Sequence, residues 1–227
     1  MSETSLKLTG TEAINARSLH EQYQELDQQR EAATLGMWVF LVTEVMFFGG
    51  MITGYVAYRF AYPEAFREGS IHMLFMAGTI NTAVLITASL FVAFAVHGAR
   101  EGNRKVLVSC LLISMFLGIV FLAIKGYEYH DHWVEHKVPG INFQWDGPDP
   151  RHAELFFVLY FFLTGFHALH MLIGVMLLGV ISLFAWKGRY TPEYHNPVEN
   201  AALYWHFVDI VWIFLYPMLY LIGHQHL

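Results

Sequence analysis

The chain has 227 residues, of which 56% are hydrophobic, 16% aromatic and only 14% charged, with a formal net charge of -6. A soluble domain carries roughly 25% charged residues. This chain therefore lacks the polar surface to cover a water-soluble globule, and its mean hydropathy of +0.40 points to lipid as the solvent for much of it. No basic concentration exists, which argues against nucleic acid as a partner. The single cysteine, Cys110, excludes an internal disulfide framework and a cysteine-built zinc or iron–sulfur site. It lies in an apolar run and reads as a small buried hydrophobe.

Residues 1–34 are polar and of mixed charge. Ser18-Leu-His-Glu21 has capping-box spacing, and Leu19, Tyr23 and Leu26 recur at helical spacing, so a short amphipathic helix at the membrane surface is expected. The start is not basic and no small-residue cleavage pattern follows, unlike a signal peptide. Residues 35–227 then hold five apolar runs, about Leu35–Tyr58, Met73–Val96, Val106–Ile124, Leu155–Trp186 and Ala201–Ile222. A hydrocarbon core of about 30 Å needs about 20 helical residues, which each run supplies. The runs are continuous rather than alternating, which selects helices over a barrel. The expected fold is an all-α, integral membrane five-helix bundle behind a polar N-terminal segment.

Local signals mark several boundaries. The fourth run exceeds the required length and should tilt or protrude. In the fifth, Asn196 suits the cap, Pro197 the first helical position and Glu199 the capping box, while Gly223 marks the exit. Pro217 should kink this helix unless neighbours satisfy the freed carbonyl. The one long connection, about Gly126–His152, is too short for a second domain and is expected to form an ordered cap. Gly50-x-x-x-Gly54 offers a close helix-packing surface. An odd number of spans places the termini on opposite sides. The N-terminal side would hold Lys7, Arg17, Arg30, Arg100, Arg104, Lys105, Lys187 and Arg189. The other side would hold Arg59, Arg67, Lys125, Lys137 and Arg151, so the bias favours a cytoplasmic N-terminus.

Polar residues within the runs carry the functional information. Glu44 lies about nine residues into the first span, close to the midplane at about 1.5 Å per residue. It is expected to be protonated or hydrogen-bonded, either as a proton-linked or lipid-contacting carboxyl or as an acid satisfied by a neighbouring helix. His167 and His170 share a helix face, as packing histidines or as metal or haem ligands with His97, His206, Glu44 or Asp209. His206 and Asp209 stand at i, i+3, where a mutual hydrogen bond would clasp two helices. Lys125 and Glu128, with Tyr129, His130, Asp131, His132 and His136, read as an exposed polar rim at the interface, with a metal site as the alternative.

Several strings together resemble one family. They are Thr43-Glu-Val-Met-Phe-Phe48, Asn81-Thr-Ala-Val-Leu-Ile-Thr-Ala-Ser89, Gly126-Tyr-Glu-Tyr129, Thr164-Gly-Phe-His-Ala-Leu-His170 and Tyr204-Trp-His-Phe-Val-Asp-Ile-Val-Trp212. In order and spacing, from about Leu35 to Gly223, they resemble subunit III of the haem–copper terminal oxidases, in a short five-helix bacterial form. The resemblance implies a non-catalytic subunit of a proton-pumping cytochrome c oxidase in a bacterial plasma membrane. It would hold no haem or copper itself, those being in partner subunits. It would pack on subunit I, in a complex with subunit II, bind structural phospholipids and support proton uptake. Glu44 matches the family's intramembrane glutamate, and His167, His170, His206 and Asp209 match its interhelical polar positions.

The seven-span members of that family have two further helices before the match. Quinol-oxidase relatives have five spans but carry Asp where this chain has Glu44. Accessory proteins of nitric oxide reductase share the fold and much of the motif set. Outside the family, a b-haem redox protein using His97 and His170, or an ion transporter using Glu44 and the His206–Asp209 pair, are the competing classes.

Overall fold

A computed structural model describes residues 26–221 and Gly223. The expected amphipathic helix and its capping box at Ser18–Glu21 lie outside them. The helices are α1 (Leu26–Ala61), α2 (Pro63–Ile71), α3 (Phe75–Arg100), α4 (Arg104–Val134), α5 (Pro150–Trp186) and α6 (Asn196–Tyr216), followed by a π-helical turn, Pro217–Leu221. All but α2 are long and apolar enough to cross a membrane, so five spans are observed among the described residues. The expected membrane helical bundle is the one found.

Short polar signals set the helix ends. Gly102, at φ 69°, lets the chain reverse after α3, and Asn103 donates its N–H to the Gly98 carbonyl at 2.8 Å, a glycine-type helix ending. The Asn103 side chain then accepts from Val106 N at 3.3 Å and starts α4. Asp149 caps α5 by accepting from the His152 backbone and from His152 Nδ1 at 2.6 Å, with Pro150 in the first turn. The His152 hydrogen bond holds the Asp149 carboxyl below its ordinary value. A carboxyl lowered by folding contributes stability above its unfolded value and loses it as pH falls through the folded one. Asp149→Asn is therefore expected to lower the melting temperature at neutral pH and to make no difference at pH below the usual carboxylate range, as a pH series of melts would show.

Several local expectations change. Helix α4 continues past Ile124 to Val134, because Gly126 is only a weak interruption within a helix that is packed on both sides of it; the cap between spans is correspondingly shorter. The cap residue of α6 is His195, since the Asn196 side chain instead accepts from Thr34 Oγ1 and donates to the Arg30 carbonyl, tying α6 to α1. Pro217 ends α6 and opens the π turn. The turn's exposed carbonyls are taken up, as the Met218 carbonyl accepts from Tyr55 Oη at 2.9 Å and the Leu219 carbonyl from Ser70 Oγ at 2.8 Å. Cys110 is half-buried rather than sealed in the core.

Helices α3, α4, α5 and α6 close a ring in which each packs on the next and α6 returns to α3. In lipid, helices associate through close van der Waals fit, which favours small residues at the contacts. The Trp205 indole of α6 shows this: it fills the space beside Gly118 of α4 and Gly174 of α5, where an added Cβ would stand 2.7 Å and 3.3 Å from the ring. Span α6 is the most buried and α1 the least. α1 lies outside the ring, against α6 and, more lightly, α5. Gly50 and Gly54 face open space, so their expected packing surface is not used within this chain.

Candidate functional site

Two polar sites stand between the spans. The first joins α1 to α5, where His170 Nε2 lies 3.0 Å from Glu44 Oε2. His170 Nδ1 lies 2.8 Å from the Phe166 carbonyl, and a carbonyl can only accept, so Nδ1 carries a proton. The Nε2–Oε2 contact then holds one proton, shared between a neutral acid and imidazole or between a carboxylate and imidazolium. Tyr204 Oη donates to the His170 carbonyl at 3.0 Å and fixes the third helix of the site. Phe48 packs edge-on to the imidazole at 5.0 Å, and Phe47 packs on Phe166 at 5.2 Å. The Glu44 and His170 side chains retain 18% and 12% exposure, so the pair is not sealed within the bundle.

The second site is sealed. Lys125 Nζ donates to Glu128 Oε2 at 3.0 Å, to Tyr220 Oη at 2.8 Å and to Tyr160 Oη at 3.2 Å. Both tyrosines donate in turn to Glu128 Oε1, at 2.8 Å from Tyr160 and 2.6 Å from Tyr220. Lys125 is 2% exposed and Glu128 and His132 are 0% exposed. The expected exposed rim is thus corrected for these three: helix α4 carries them inward, while His130, Trp133 and His136 stay outside. Tyr129 Oη pairs with Thr164 Oγ1 at 2.7 Å. Among the described residues, no group of three or more His, Cys, Asp or Glu side chains is arranged to hold a metal.

The family model for cytochrome c oxidase subunit III matches residues 22–224. The chain belongs to the cytochrome c oxidase subunit III family. It is 35% identical over 191 residues to a cytochrome c oxidase subunit 3 from Scyliorhinus canicula, covering 82% of this chain and 67% of that protein. The Dugong dugon protein of the same name gives the same identity and coverage. The Gallus gallus protein is 38% identical over 141 residues, covering 62% of this chain and 48% of its own length. The chain is accordingly a multi-pass membrane subunit of a cytochrome c oxidase, in complex with other oxidase subunits.

For this subunit III, the structure separates residues that the sequence placed together. His167 and His170 share α5, but only His170 faces Glu44. His167 is buried against Trp212 and Phe121, with centroid separations of 5.1 and 5.5 Å. The expected His206–Asp209 hydrogen bond does not form. His206 Nδ1 turns to Ser89 Oγ of α3 at 2.7 Å, and Asp209 is buried at 5% exposure. The Ser89 hydroxyl on the neighbouring helix takes the imidazole instead. His97 pairs with Glu101 at 3.3 Å on the exposed end of α3. Both ring nitrogens of His170 are engaged, by Glu44 and by the Phe166 carbonyl. The sealed network was missed because Tyr160 and Tyr220 stand far from Lys125 in sequence. The only local signal was the Lys125–Glu128 spacing within a helix long enough to bury it.

Proposed function

We propose that this subunit III is a non-catalytic part of a proton-pumping cytochrome c oxidase. It packs on the catalytic subunit I, in a complex with subunit II, holds structural phospholipids and supports proton uptake. Haem and copper belong to the partner subunits. The observation that carries the reading is the Glu44–His170 pair, which remains partly exposed. Phe47, Phe48 and Phe166 beside the pair offer apolar contact to acyl chains. His167, His206 and Asp209 act in the same reading as interhelical residues of the bundle, with His206 bonded to Ser89. The orientation is an N-terminus on the cytoplasmic side of a bacterial plasma membrane. Burial of Lys125 removes it from the outer set of cations and strengthens the inward bias of Arg30, Arg100, Arg104, Lys105, Lys187 and Arg189.

Glu44→Gln tests this directly. The amide can still donate to His170, so the complex is expected to assemble. Bound phospholipid should be held more weakly, and the enzyme should inactivate after fewer turnovers. Lipid content by mass spectrometry and turnover number before inactivation are the two readouts. Wild-type values for both would remove Glu44 from the functional site.

A further inference from the structure

The Lys125 ammonium is held in a chamber that would suit a free cation. Its Nζ stands 5.1 Å from the Tyr160 ring centroid, 5.3 Å from Trp212 and 5.5 Å from both Tyr129 and Tyr220. The Trp212 and Tyr129 rings stand beside the cation, the kind of neighbour by which proteins recognise ammonium groups, while Tyr160 and Tyr220 meet it through their hydroxyls. A carboxylate completes the chamber, and the three hydrogens of the ammonium meet Glu128, Tyr160 and Tyr220. The chamber walls come from α4, α5, α6 and the π turn, so the cation is the point at which four elements converge.

What the chamber holds in place is the end of the last span. Tyr220 lies in the π turn, and the neighbouring backbone of that turn is bonded by Tyr55 of α1 and Ser70 of α2. Gly223 N in turn donates to Ser70 Oγ at 3.1 Å. Helix α2 has no span of its own and rests on α5 and on this turn. Helix α2 is therefore tied through Ser70 to the turn that carries Tyr220, and Tyr220 is bonded to the cation.

We propose that this is an ammonium-binding site which the chain fills with its own lysine, and that its occupancy locks the π turn and α2 onto the bundle. The recognised group is a primary ammonium, with its hydrogens as well as its charge.

The test uses the assembled oxidase carrying Lys125→Ala, with amide hydrogen exchange read by mass spectrometry. Exchange in Pro217–Leu221 and Pro63–Ile71 is expected to rise about tenfold, with α3 unchanged. Methylammonium should restore protection. Tetramethylammonium, which keeps the charge but has no N–H to give Glu128 and the tyrosines, should not. Unchanged exchange, a uniform rise across all helices, or equal action of the two cations would overturn the proposal. Should Lys125→Ala fail to assemble, Lys125→Met with Glu128→Gln removes both charges at similar volume. That pair is expected to assemble with the π turn and α2 still loosened, and wild-type protection there, or failure to assemble, would equally overturn it.

Discussion

Glu128→Ala will lower the stability of the folded chain by about 3–5 kcal/mol, the range for removing one partner of a buried ion pair. The carboxylate accepts from Lys125, Tyr160 and Tyr220, so its loss leaves an ammonium in a sealed site without counter-charge and two hydroxyls without their acceptor. Lys125 and Glu128 are both essentially unexposed, so a charge left unpaired there keeps its desolvation cost until the bundle opens. Lys125→Met combined with Glu128→Ala should recover much of the loss, since two charges are then absent rather than one. Resistance to denaturing detergent, read on the single and double variants side by side, separates the cases. Equal loss in the two would mean that packing volume, and not charge, governs the site.

Gly118→Val will separate α4 from its neighbours, at a cost of about 3 kcal/mol. The first added carbon alone would meet Trp205 Cη2 at 2.7 Å and Val175 Cγ2 at 2.8 Å. Trp205 cannot retreat, because its other ring edge lies against Gly174 on the facing helix. The change should appear as reduced yield of the assembled complex and a lower melting temperature. By contrast Gly50→Val, on the open face of α1, should leave the isolated chain's own fold unchanged; a melting curve that falls as far as for Gly118→Val would contradict the packing described.

Hydropathy made the five spans legible, because a helix in lipid must show an apolar length that nothing else in the chain imitates. It erred at Lys125-Gly-Tyr-Glu128, where charges were read as the edge of the membrane. Hydropathy scores each residue alone, whereas the burial of Lys125 is set by partners on α5 and the π turn. Glu44 was legible as a group needing a partner, and His170 was legible as a polar residue, but their pairing was not. The pairing follows from how α1 rests against α5, which a list of residues does not contain. The same limit explains the His206–Asp209 pair: proximity along a helix was visible, and the competing hydroxyl of Ser89 on α3 was not. Asn196 has the right chemistry for a cap, yet Thr34 and Arg30 claim its side chain. Local rules state what a residue can do, and the tertiary neighbours select among the options.

The hydroxyls of Tyr55 and Ser70 bond carbonyls at Met218 and Leu219, and this long separation imposes an order on biosynthesis. A ribosome adds about 5–20 residues per second, so the first hairpin enters the bilayer many seconds before the residues that complete it exist. During that interval α2 has no turn to rest on, and the two hydroxyls must find temporary acceptors in lipid headgroups, water or an insertion factor. The bundle closes only when the last segment arrives. A chain ending shortly before Pro217 would therefore carry four complete spans and most of the fifth, and would still present an unfinished surface.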